Sequence, residues 1–172
     1  MKNIHIIVIF NIFICTTTFG NPKVAFILDI EIPKFKTSEY HAPYIATWIE
    51  TKDRKPIIAT SLWFDEQEKW LKDIRQWWRK TGRNQKKPYD GITGATRRPG
   101  MHKLKLSDSE ISNELVPGEY VLFIEAAREV GGREVLKIPF NWPIEDSFIS
   151  SVQGKKELGK ITLSLNSQQE SL

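Results

Sequence analysis

Residues 90 to 96 read Asp90-Gly91-Ile92-Thr93-Gly94-Ala95-Thr96, a D-x-x-T-G-A-T heptapeptide in a loop between strongly patterned segments. The chemistry to weigh for its threonine hydroxyl is acceptance of a phosphoryl-linked group. A modifying enzyme must bring that hydroxyl in line with phosphorus, and positioning plus charge stabilisation does most of the work. Gly94 and Ala95 carry almost no side chain, so the backbone beside Thr96 can enter a narrow active site. Asp90 is placed to contact such an enzyme, or to take backbone amides in its own loop. Arg97 and Arg98 follow at once and can pair with a phosphodiester once it forms. The competing reading is a polar turn, in which Asp90-Gly91 and Thr93-Gly94 simply bend the chain.

Positive charge gathers around this loop. From Lys69 to Lys105 there are 12 Lys and Arg against Asp73 and Asp90, a local excess of 12 − 2 = +10 in a chain whose net charge is +4. Such a run suits an anion, whether a cofactor phosphate, an acidic redox partner or a membrane surface, or else is a solvated helix face. The chain has six tryptophans. Trp78, with Trp77 and Tyr89, lies near the heptapeptide in sequence and offers an aromatic face for a flat ring. Trp70 and Trp77 read first as the core side of a helix. Glu125, Arg128, Glu129, Arg133 and Glu134 form a charged run at a strand end, read as an ion-pair network whose arginines can also face a ligand. His41 and His102 stand apart from any carboxylate spacing and make a poor metal site. No G-x-S-x-G elbow is present, which counts against a secreted hydrolase.

The elements that must position these residues are mostly strands. Val24 to Ile32, Tyr44 to Glu50, Ile57 to Phe64, Met101 to Leu106, Glu119 to Ala127, Arg133 to Phe140 and Glu157 to Leu165 each carry strand patterning. The charged turn from Thr51 to Lys55 makes a hairpin of the second and third. One helix is expected, with Asp65 as N-cap, Glu68 three residues on, an apolar face of Trp70, Leu71, Ile74, Trp77 and Trp78, and Gly82 as its stop. Pro117-Gly118 and Gly131-Gly132 are read as turns. The fold class that follows is mainly β, an immunoglobulin-like β-sandwich with one inserted amphipathic helix. No Gly-rich nucleotide loop is present, so a noncovalent Rossmann-type cofactor site is not expected.

Residues 1–20 read as a signal peptide, leaving 21–172 as a single domain. Lys2 supplies a short positive region, Ile4 to Ile14 an apolar stretch too short to span a membrane normally, and Thr18-Phe19-Gly20 a cleavage site near Gly20. Cys15, the only cysteine, follows the bulky Ile14 rather than the small residue of a lipobox, and cleavage would remove it. The expected compartment is the periplasm, with no disulfide in the exported chain. Export also disfavours nucleic acid as a partner.

The heptapeptide resembles the acceptor sequence on which an FAD:protein FMN transferase esterifies FMN to threonine. The resemblance implies that Thr96 carries the flavin phosphate, with Asp90, Thr93, Gly94, Ala95, Arg97, Arg98 and Trp78 as candidate contacts. A covalent bond also suits export, because it retains FMN where no free flavin pool replaces it. A longer resemblance covers most of the exported chain. PYIATWIE at 43 to 50, SLWF at 61 to 64, KWLKDIRQWWRK at 69 to 80, DGITGATRRPG at 90 to 100, PGEYVLFIEAARE at 117 to 129 and GGRE…PFNWP from 131 to 143 are similar, in order, to periplasmic domain-of-unknown-function family 2271. Genes of that family sit near flavin transferase and PepSY-type membrane genes, which implies extracytosolic electron transfer. The Pro-Gly-x-Tyr strand also resembles an immunoglobulin-like module. The chain departs from the family pattern at Val130, where a histidine is expected, at His102, where an aromatic is usual, and in the degenerate turn from 107 to 114.

The expectation is therefore a periplasmic electron carrier rather than a turnover enzyme. FMN would be esterified to Thr96 and would be reduced by a PepSY-type membrane partner. The alternative is a non-redox immunoglobulin-like module that presents its loops to another protein.

Overall fold

A computed structural model describes residues 23–168 apart from 38, 66, 85–88, 90 and 107. The proposed signal peptide and Asp90 thus lie outside the described residues. In chain order the strands are β1 (Lys23–Ile32), β2 (Tyr44–Thr51), β3 (Pro56–Trp63), β4 (Thr93–Gly94), β5 (Gly100–Lys105), β6 (Gly118–Ala127), β7 (Arg133–Trp142), β8 (Ser147–Gln153) and β9 (Lys160–Gln168). They form one sheet in the order β5-β1-β9-β8 and another in the order β4-β3-β2-β6-β7. Every pairing is antiparallel except the short parallel one between β3 and β4.

Alternation along the strands builds the core between the sheets. Val24, Phe26, Leu28, Ile30 and Ile32 point inward from β1, and Leu136, Ile138, Phe140 and Trp142 from β7. The expected β-sandwich is the observed one. Its order β3-β2-β6-β7 follows the C′-C-F-G order of immunoglobulin sheets, and β5-β1 stands where E-B would. Tyr120 near the start of β6 completes a tyrosine corner. Its hydroxyl donates to the Val116 carbonyl at 2.7 Å and accepts the Val116 N–H at 3.1 Å.

The middle strands of the larger sheet are buried on both faces, because a second core covers their outer side. Trp48 from β2 and Phe123 from β6 stack there at 5.1 Å, with Leu71, Ile74 and Trp77 above them. Those three come from the helical insertion, which differs from the single helix expected. A 3-10 helix (Glu68–Asp73) is broken at Ile74, and α1 (Arg75–Lys80) follows. Both pieces keep the apolar face that the spacing predicts, so one periodic pattern serves two helices.

Asp65 is not the N-cap. That position is Gln67, which makes no side-chain cap, while Asp65 accepts the Gln67 N–H at 2.7 Å and the Tyr44 hydroxyl. Gly82 does not act as a left-handed stop either. It opens a 3-10 turn (Gly82–Asn84), and a Cβ there would lie 2.5 Å from the Trp77 ring. A further helix, α2 (Asp108–Glu114), stands where a degenerate turn is expected, and the strand β8 occupies a stretch that carries no expectation. The last strand begins at Lys160, leaving Glu157 in a loop.

Candidate functional site

The heptapeptide is more than a turn. Leu62 donates its N–H to the Ile92 carbonyl at 2.7 Å and Phe64 to the Gly94 carbonyl at 3.0 Å, so Thr93–Gly94 becomes the edge strand of the larger sheet. Gly91 enters this strand with φ +85°, a conformation that glycine adopts freely. Beyond it, residues 95 to 98 span a gap between anchors. Tyr40 Oη reaches the Arg97 carbonyl at 3.5 Å, and the His102 ring lies 2.7 Å from the Arg98 carbonyl. The Arg97 guanidinium stacks 5.3 Å from the Trp63 ring, and His102 meets the same ring edge-on at 5.9 Å.

Gly94 has no steric reason to be glycine inside this fold. A Cβ there would make only ordinary contact, 3.4 Å from Trp63 Cδ1, and its backbone is not left-handed.

Thr96 is half-buried and lines a cleft of about 610 Å3. Three other segments complete the walls. Tyr40 and His41 come from the loop leading into β2 and Tyr44 from its first position, Trp70, Asp73 and Arg75 from the helical insertion, and residues 127 to 133 from the β6–β7 turn and the strand ends beside it. No hydrogen bond engages the Thr96 hydroxyl among the described residues. Burial and the Asp65 carboxylate push the Tyr44 phenol far above its ordinary pKa, so it stays protonated as a donor. Burial likewise raises Tyr40.

The β6–β7 turn is held by carboxylates. Arg128 donates through Nε to Glu157 Oε2 at 2.8 Å, and Glu157 Oε1 also accepts the Gly132 N–H at 2.6 Å. Glu125, fully buried on β6, accepts from Arg133 and from the backbone N–H groups of Gln76 and Trp77. The charged run is thus an ion-pair network, and both of its arginines also line the Thr96 cleft.

Gly131 and Gly132 do not supply the left-handed residue of this turn. Val130 does, at φ 50° and 89% exposed, while the glycines leave room for Arg128 and Glu157. A β-branched residue in that region is strained.

The other sequence candidates lie elsewhere. Thr93 and Gly94 sit in β4, and Ala95, Arg97 and Arg98 are exposed without lining the cleft. Trp78 is half-buried in a neighbouring concavity with Lys72 and Arg79, which meets the cleft through Asp73, Arg75 and Arg133. Sequence reasoning missed Tyr40, Tyr44 and Arg75 and assigned Trp70 to the core. Trp70 does pack against the second core, as its spacing predicts, and its half-buried side chain also lines the cleft.

No curated protein and no solved structure matches the chain. A family model does, over residues 25–160, which take in the sandwich, the helical insertion, the heptapeptide and the β6–β7 turn. By that match the chain belongs to the family described as predicted periplasmic protein (DUF2271).

Proposed function

We propose that this periplasmic protein is an electron carrier whose FMN is esterified to Thr96. The observation that carries the reading is the position of Thr96, a half-buried threonine in the wall of a cleft of about 610 Å3 shared with Tyr40, Tyr44, Trp70 and three arginines. That volume falls within the range of cofactor pockets, roughly 300–1,000 Å3, and aromatic faces with a few fixed polar groups suit a flat heteroaromatic ring. The residues present therefore fit the group. Trp70, Tyr40 and Tyr44, which line the cleft, would hold the ring, and Arg75 would meet a phosphate.

The attachment is a phosphoryl transfer. The Thr96 hydroxyl gives up its proton and forms the new P–O bond to the FMN half of FAD as AMP leaves. Gly94, which nothing in the fold requires, leaves that backbone open to close approach by the transferase. The flavin supplies electron transfer, and the protein supplies orientation, shielding and charge. A PepSY-type membrane protein is the proposed electron donor.

Intact mass after co-expression with an FAD:protein FMN transferase tests this. A gain of about 438 Da is expected in the exported protein and its loss in Thr96→Ala, the change being one FMN less water. Covalent flavin retained by Thr96→Ala would overturn the assignment. A second reading, a non-redox module that presents loops to another protein, is favoured by one observation, the exposed Val130 at the cleft rim. It predicts an unmodified mass in the same experiment.

A further inference from the structure

Arg128 lines a solvent-open cleft, yet its side chain is only 8% exposed, and that of its partner Glu157 is 5% exposed. The guanidinium is fixed on three sides. Glu157 takes Nε at 2.8 Å and Nη2 at 3.4 Å, the Phe35 ring lies 4.1 Å from Cζ, and a Cβ on Gly131 would stand 2.6 Å from the same atom. Glu157 is fixed in turn, since its own N–H donates to Glu134 Oε2 at 3.0 Å. A buried ion pair of this kind commonly contributes no more stability than apolar residues of the same volume. Its geometry is also directional. Arg128 lines the cleft and Glu157 does not, so the cation is the member of the pair on the cleft side.

We infer that Arg128 is the electrostatic partner of the flavin ring, a fixed cation that favours the ring's reduced state. The inference rests on the assignment of FMN to Thr96. Uptake of two electrons and one proton leaves one negative charge on an isoalloxazine, and a cation held in a wall of low dielectric stabilises that charge. Replacing Arg128 alone would strand a buried carboxylate. The informative variants are Arg128→Gln/Glu157→Gln, which removes both charges and keeps the shape, and Glu157→Gln alone, which leaves the arginine uncompensated.

The experiment is a dithionite titration against redox dyes, on protein co-expressed with the transferase and shown by mass to carry flavin. The double variant is expected to load normally and to lose at least tenfold in its equilibrium preference for the reduced state, a midpoint lower by about 30 mV for two electrons. Glu157→Gln is expected to shift the midpoint the opposite way, and Lys103→Gln, exposed on β5, to leave it unchanged. A merely structural pair would not produce shifts of opposite sign.

A loaded double variant with the wild-type midpoint overturns the inference and leaves Thr96 assigned. A folded double variant that fails to load overturns it too, because Arg128 would then act in the transfer step. If the double variant does not fold, Glu157→Gln decides: an unchanged or lowered midpoint overturns the inference. Wild-type protein that gains no mass overturns both this inference and the assignment on which it rests.

Discussion

Glu125 reaches across 48 positions of sequence to accept the backbone N–H of Trp77 at 2.8 Å. It takes the Gln76 N–H as well, at 3.1 Å, so α1 is capped from the sheet beneath it rather than by its own Ile74. One buried carboxylate therefore joins the helical insertion, β6 and, through Arg133, the cleft wall. Breaking a buried ion pair by removing one partner commonly costs 3–5 kcal/mol. Glu125→Ala should lose about 3 kcal/mol, a fall of about 8 °C in Tm for a domain of this size. Thermal unfolding followed by circular dichroism checks this, and a shift within a degree or two would show that the cap is dispensable.

Two glycines make opposite predictions. Gly82→Ala drives a Cβ to 2.5 Å from the Trp77 ring and should destabilise by about 1–3 kcal/mol through overpacking. Gly94→Ala meets only ordinary contacts, so its stability should stay within about 0.5 kcal/mol of wild type while flavin loading slows. Chemical denaturation and a time course of mass gain separate the two. Equal loading rates for Gly94→Ala and wild type would remove the argument that the transferase needs the bare backbone there.

Val130 holds a left-handed backbone that glycine adopts without strain. Relief of that strain outweighs the added freedom of the unfolded chain, so Val130→Gly should stabilise by about 0.5–1 kcal/mol. Urea unfolding should show a higher midpoint with an unchanged slope. A lower midpoint would mean that the Val130 side chain contributes contacts the exposed turn does not reveal.

Glu134 on β7, which anchors the loop between β8 and β9, should make stability depend on pH. Burial raises the Glu134 carboxyl, but backbone N–H groups of Lys155, Leu158, Lys156 and Glu157 outweigh it and hold the pKa below the ordinary 4.5. Folded protein thus gives up this proton more readily than unfolded chain does. The resulting stability is present above about pH 4.5 and is lost as pH falls through the lower folded value. Unfolding free energies measured from pH 6 to pH 3 should drop less steeply for Glu134→Gln than for wild type. Parallel slopes would show that the four donors do not favour the charged form.

Strand patterning made much of the sandwich legible. Inward residues of β1 and β7 alternate cleanly, and the charged turn from Thr51 to Lys55 marks the β2–β3 hairpin. The helical insertion was half legible. Its apolar face follows from Leu71, Ile74 and Trp77, but its break does not, because the cap is Glu125 from a distant strand. β8 was not legible, since Ile149 is 70% exposed and serines intervene, leaving no apolar alternation to read. At the candidate site, Thr96 stood out through its neighbours. Arg128 and Arg133 were legible as members of a charged run able to face a ligand, but the Glu157 partner of Arg128 was not, because sequence does not distinguish a buried glutamate partner from a solvated one. Trp70 and Tyr44 were hidden for a related reason: core spacing looks the same whether the outer edge of a ring meets protein or a cleft.

The route from Glu134 through Glu157 to Arg128 has a consequence for the order in which the molecule is assembled. Thr96 is synthesised before residues 127 to 133, which complete the far side of the cleft, and before residues 155 to 158, whose N–H groups hold Glu134. Until they arrive, the cleft beside Thr96 lacks its far wall. A group attached during that interval gains its far wall only when the turn between β6 and β7 forms. A group arriving later meets the finished cleft, whose lining includes Tyr40 and Val130, so the timing of attachment relative to folding decides which surfaces of the protein an enzyme has to recognise.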